Sequence, residues 1–195
     1  MRKEDKEIAL TFLNELITKG LINSFPSNVF NWHRNNTFSH TFRIGCGLYK
    51  YVFIVDGFDF VIKTDRQENW HHGCTEELNN YKIAIKEDMK CFFPETDFLA
   101  NIEGHQFYIQ EKAEVDEVAV ADSVYKYVSP YFDDEEIARE YVYDDEIEIE
   151  DIINSLFSKN EADKLLRWLN KYALDDIHEG NIGWLDDHAV IIDFS

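Results

Sequence analysis

The segment 175–193 concentrates groups able to hold a hard cation and to take a proton. Asp176 and Asn181 stand five residues apart, with His178 and Gly180 between them. A loop of that length can aim an Asp at a substrate hydroxyl and an Asn at a metal. Asp193 follows the apolar pair Ile191-Ile192, so a strand end delivers a second hard oxygen ligand. Magnesium takes oxygen ligands, usually one or two carboxylates plus phosphate oxygens. Asp, Asn and Asp in this pattern therefore fit Mg2+ bound together with a nucleotide. The competing reading makes the same residues ordinary caps and turn formers.

A second constellation lies earlier. Gly45 and Gly47 allow the backbone to approach a bulky ligand. Lys63 follows Gly45 by 18 residues, on a strand otherwise apolar at Phe60, Val61 and Ile62. A lysine pointing inward there needs an anionic partner, either a carboxylate or a phosphate. Glu77 on the next predicted helix is one candidate and Glu76 its neighbour; the alternative is a lysine that snorkels to water. His71, His72 and Cys74 in "WHHGC" offer zinc ligands, but a structural zinc site wants four in paired spacing. A polar loop is the expectation. Cys46, inside the glycine stretch, has no obvious base beside it to make it a nucleophile.

The elements that must position these groups follow from periodicity. Ile8, Phe12, Leu13, Leu16 and Ile17 give a helix over 4–19, closed by Gly20. Residues 21–40 read as a connector. Three antiparallel strands are expected near 41–45, 50–55 and 58–64, the last two joined at Asp56-Gly57. A helix is expected over 75–90, with Thr75 as N-cap. Two strands around Gly104 follow, then a helix over 161–173 and a final hairpin turning at Asp186-Asp187. The fold class is α+β with an antiparallel sheet. Its segments are 1–40 (helix and connector), 41–113 (strand-rich) and 114–195, which contains an acidic stretch at 133–151. That stretch, with Arg139 its one base, reads as a mobile insertion or as a solvated helix face.

The 195 residues carry a formal net charge of -20, which argues against direct binding to nucleic acid or anionic membranes. The acidic stretch is expected to be solvated; the alternatives are that it docks a basic protein or mimics nucleic-acid charge. Cys46, Cys74 and Cys91 form no close pair, as expected in a reducing compartment. The charged start MRKEDKEIALTF does not resemble a signal peptide, and no apolar run reaches membrane-spanning length. A cytoplasmic location is the expectation.

In this order the motifs resemble the protein-kinase-like superfamily. "IGCGLYKYV" resembles its glycine-rich loop, with Gly45, Gly47 and Val52 in place. "FVIKTD" resembles the strand bearing the phosphate-binding lysine, Lys63, with Glu77 as its helix partner. "YIQEKAEV" resembles the strand entering the hinge. The resemblance puts Gln110 in the gatekeeper place and implies that backbone near Glu111 and Ala113 bonds adenine. "DIHEGN" resembles the catalytic loop, with Asp176 as base and Asn181 as metal ligand; "IIDFS" resembles the Asp-Phe-Gly site, with Asp193 on Mg2+. The Asp-x-His-x-x-Asn form is similar to that of aminoglycoside phosphotransferases and of small bacterial and phage kinase-like proteins.

The resemblance implies a five-stranded N-lobe sheet with one αC-type helix and a strongly reduced C-lobe. It implies ATP and Mg2+ as cofactors, and phosphate transfer to a protein or small-molecule hydroxyl. The alternative is a catalytically weak kinase-like interaction protein that uses its acidic surface on a partner. Lys50 replaces the third glycine, which predicts a stiffer loop. Leu174-Asp175 depart from the usual residues before the catalytic Asp, and Ser195 from the glycine of Asp-Phe-Gly. The sequence stops just after that motif, leaving the acceptor site undefined.

Overall fold

Apolar residues at three- and four-residue steps build α1 (Lys3–Thr18), which buries Ala9, Phe12, Leu13 and Leu16. Gly20, at φ 89°, turns the chain out of it. The computed structural model describes residues 1–20, 37–46, 50–65, 73–102, 104–143 and 147–194. The expected connector lies largely outside them, as do Gly47, His71, His72, Ser195 and the side chain of Cys46. The chain divides into two units, one of Met1–Ala84 with Glu95–Lys112, the other of Ile85–Pro94 with Ala113–Phe194.

In the first unit, β1 (Phe42–Cys46), β2 (Lys50–Val55), β3 (Phe60–Asp65), β4 (Thr96–Ile102) and β5 (His105–Glu111) form one antiparallel sheet. Its order is β1-β2-β3-β5-β4. The α+β class and the five-stranded antiparallel sheet expected from the sequence are therefore present.

Alternation along the strands gives the sheet two different faces. Tyr51, Phe53, Val55, Phe60, Ile62, Phe107 and Ile109 join the buried stripe of α1 in one apolar core. Phe12 and Phe42 meet edge to face with centroids 5.0 Å apart. The opposite face receives α2 (Cys74–Lys86), whose Cys74 and Leu78 pack on Tyr108.

The start of α2 differs from expectation. The N–H of Cys74 donates to Asp65 Oδ1 at 2.6 Å, while Thr75 lies inside the first turn with its hydroxyl 2.6 Å from that of Tyr108. Asp65, distant in sequence, supplies the acceptor assigned to Thr75. A Cβ at Gly73 would lie 2.5 Å from the Asp65 carboxylate, so the turn needs glycine. The helix ends at Lys86 rather than 90, because Asp88 takes a left-handed φ of 58°.

The second unit is helical with one hairpin. A helix not anticipated from sequence, α3 (Glu117–Val128), buries Val120, Ala121, Val124 and Val128. Asp116 caps it, its Oδ1 accepting from the N–H of Ala119 at 3.0 Å. The acidic stretch is largely folded as helix: α4 (Glu135–Tyr143) buries Ala138 and Val142, and α5 (Ile149–Leu156) buries Ile152 and Ile153. Both pack on α3, and α5 also meets α6 (Lys159–Tyr172). Of the two readings of this stretch, the solvated helix face describes α4. The hairpin β6 (Ile182–Leu185) and β7 (His188–Ile191) turns at Asp186, φ 52°.

Candidate functional site

The first unit assembles a buried polar cluster on the face of the sheet that carries α2. The apolar core takes Phe60 and Ile62 of β3, so alternation aims Lys63 at the other face. There its ammonium donates to Glu77 Oε1 at 2.8 Å. Gln110 donates to the same oxygen at 2.5 Å and to Thr96 Oγ1 at 2.9 Å. Lys50 donates to Glu77 Oε2 at 3.1 Å. Exposures of 5 % for Lys50, 6 % for Lys63, 1 % for Glu77 and 2 % for Gln110 make this a desolvated charge network rather than a surface pair. Glu77, not Glu76, is the carboxylate that meets Lys63.

Val52 lies directly across from Lys63 in the register and Gly45 across from Val52. A Cβ on Gly45 would find Val52 at an ordinary 3.7 Å, so protein packing does not demand glycine there. The Glu111 N–H donates to the Glu95 carbonyl at 2.9 Å. Burial pushes the Cys74 thiol well above its ordinary pKa, with Glu77 and Asp65 adding to the effect. A thiol held protonated in this way is a poor zinc ligand.

Sequence reasoning missed the part played by Lys50. As a missing glycine it reads as a defect in a loop. Alternation carried the signal: Tyr51, Phe53 and Val55 enter the core with α1, so Lys50 shares the face of Val52, toward Lys63.

The second unit arranges the tail residues. His178 precedes a single 3-10 turn, Glu179–Asn181, and its Nδ1 accepts from the N–H of Gly180 at 3.1 Å. A Cβ at Gly180 would sit 2.9 Å from the His178 ring, so glycine is needed for the ring to fold over the turn. Asn181 Nδ2 donates to the carbonyl of Asp176 at 2.8 Å, which ties the two loop residues together and turns Oδ1 the other way. The N–H of Ile192 donates to the Asn181 carbonyl at 2.9 Å. Asn181 and Asp193 thus flank the open end of one hairpin. Phe194 is buried against Phe93, centroids 4.6 Å apart, which anchors the backbone next to Asp193.

An amide oxygen and a carboxylate at a hairpin end suit a hard cation whose remaining ligands are phosphate oxygens or water. Among the described residues no cluster of three or more His, Cys, Asp or Glu could hold a metal alone. Exposed Asp176 lines a cavity of about 570 Å³ with Asp175, Ile177, His178, Glu179 and residues 147–149. Beyond Ala113, the N–H of Glu114 donates to the Trp184 carbonyl at 3.0 Å, and the Glu114 carbonyl accepts from the N–H of Trp184 at 2.8 Å. A Cβ at Gly183 would lie 2.7 Å from that of Ala113, so the close approach of β6 requires glycine.

No family model matches the sequence, and no curated protein matches it. Two solved structures are similar at low identity. One is the GDP and kanamycin complex of APH(2")-IIia, with 13 % identity and a TM-score of 0.36 over 86 % of this chain. The chain spans about half of that protein, 52 %. The other is a thermostable mutant of aminoglycoside phosphotransferase APH(4)-Ia in a ternary complex with AMP-PNP and hygromycin B. There the identity is 12 % and the TM-score 0.36, covering 86 % of this chain and 70 % of that one. No helix among the described residues is long and apolar enough to cross a membrane.

Proposed function

We propose that the chain is a kinase-like protein that binds ATP with Mg2+ and transfers phosphate to a hydroxyl of a protein or small molecule. The observation carrying this reading is the buried network in which Lys63 donates to Glu77 while Gln110 holds the same carboxylate oxygen. Phosphoryl transfer asks mainly for positioning and charge neutralisation. Lys63, fixed by Glu77, is the cation for the α- and β-phosphates. Gly45 and Val52 border the base and phosphates, and the backbone at Glu111 and Ala113 meets the adenine. In the second unit Asn181 and Asp193 are the Mg2+ ligands. When bound, Mg2+ supplies neutralisation of phosphate charge. Asp176, held by Asn181 through its backbone carbonyl, orients the acceptor hydroxyl and takes its proton.

Thermal unfolding of wild type and Asp193→Ala, with and without millimolar ATP and Mg2+, tests this function. A Mg2+-dependent upward shift in wild type and a smaller one in the variant is the expected result. Equal response of both proteins to Mg2+ removes Asp193 from metal binding. Transfer is read separately, as label from [γ-32P]ATP in the protein itself or in added acceptors.

A second reading, a kinase-like interaction protein, is favoured by exposed apolar side chains of the second unit. Val118, Tyr131, Ile137 and Tyr143 are each more than half exposed, the last two on the acidic helix α4. This surface suits a basic partner segment. Nucleotide binding without transfer to any acceptor is the outcome expected of it.

A further inference from the structure

We infer that Lys50 is a second phosphate-contacting ammonium of the nucleotide site, so that two lysines on neighbouring strands share the work ordinarily expected of Lys63 and a glycine. The inference rests on the nucleotide-binding reading and concerns the same site.

Four observations in the first unit carry it. Lys50 opens β2, three residues after Gly47 in the sequence. The register pairs Val52 with Lys63, so Lys50 stands one diagonal step away on the same face. The two ammoniums meet the two oxygens of a single carboxylate, Lys50 on Oε2 and Lys63 on Oε1. They are also equally shielded, at 5 % and 6 % exposure. A phosphate reaching the Lys63 ammonium therefore comes within reach of the Lys50 ammonium as well.

The chemistry favours two cations. A polyphosphate spreads its charge over several oxygens, and a compact ammonium with three donors satisfies only some of them. A glycine at this position offers one backbone N–H. A lysine adds a full charge in a desolvated place, where it acts strongly on a nearby anion. Glu77 holds both ammoniums in position before the ligand arrives, which lowers the ordering cost on binding. Lys50 thus makes the site discriminate by phosphate charge. It strengthens binding of ATP and leaves that of adenosine nearly unchanged.

The test is calorimetric titration of ATP and of adenosine, each with Mg2+, into wild type, Lys50→Gln, Lys50→Met and Lys50→Arg. Lys50→Gln keeps a donor for Glu77 and so preserves the fold if Met does not. Loss of the charge is expected to weaken ATP about ten-fold, the scale of one hydrogen bond to a charged group, with adenosine within about two-fold. Lys50→Arg is expected to retain most of the ATP preference. The Lys50→Gln comparison is repeated in a Glu77→Gln background. If its effect on ATP persists there, Lys50 touches phosphate. If it vanishes, Lys50 acts only by holding Glu77, and the inference is overturned. Wild type that binds ATP, with Lys50→Gln binding it equally well, overturns the role of Lys50 alone. Wild type that binds no nucleotide overturns the nucleotide-binding reading and with it this inference.

Discussion

Replacing Glu77 by Ala should be among the most costly single changes in the first unit. The carboxylate is 1 % exposed and accepts from Lys63, Lys50 and Gln110. Truncation leaves two buried ammoniums without this anion and Gln110 without one of its acceptors. Removing one partner of a buried pair costs about 3–5 kcal/mol, because the penalty is the uncompensated charge rather than the worth of the pair. At roughly 2–4 °C per kcal/mol for a chain of this size, the melting temperature should fall by about 6–20 °C. Glu77→Gln, which keeps the shape and an acceptor oxygen, should cost less, about 1–3 kcal/mol. Lys63→Met combined with Glu77→Ala should be less destabilising than the two single losses summed, since the second change removes one charge that the first strands. Differential scanning calorimetry and urea unfolding of wild type, the three single variants and the double variant measure this. A Glu77→Ala protein melting within about 1 °C of wild type would refute the buried charge network and the site built on it.

Other expectations concern the scaffold. Phe12→Ala, at a residue 1 % exposed between α1 and the sheet, should cost about 3–5 kcal/mol in urea unfolding. Ala173 ends α6 with a left-handed φ of 53°, so Ala173→Gly should raise stability by roughly 0.5–1 kcal/mol once the extra freedom of the unfolded chain is subtracted. Hydrogen bonds from Lys19 and Ser39 lower the Glu15 carboxyl to about 2. Because the folded value lies below the unfolded one, this contact stabilises at pH above about 4.3 and is lost as pH falls toward 2. Glu15→Gln should therefore lower stability at neutral pH, by at most about 1 kcal/mol for a pair near the surface, and the difference should disappear in acid.

The strands and α1 were legible because each alternates or repeats with one clear period, and local pattern coincides with burial. The helices α3 and α5 were not. The sequence EVAVADSVYKYV of α3 is rich in β-branched residues, and the chain entering α5, IEIEDI, alternates as a strand does. Packing of Val120, Val124, Ile152 and Ile153 into one helical core overrides both signals. Lys63 and Glu77 could be matched because a lysine inside an apolar strand demands an anion. The cavity beside Asp176 could not, since residues 147–149 lie far along the chain from the loop they face. Nor could the cap of α2, where Asp65 rather than neighbouring Thr75 supplies the acceptor.

The central claim is that Lys63 and Glu77 exist to receive a nucleotide. Equilibrium titration of ATP with Mg2+ into wild type and into Lys63→Met, each shown to be folded by circular dichroism, tests it most directly. The account predicts saturable one-site binding by wild type below millimolar concentration, weakened at least about ten-fold in the variant. Equal affinity of the two proteins, or no binding by wild type at millimolar ATP, contradicts it.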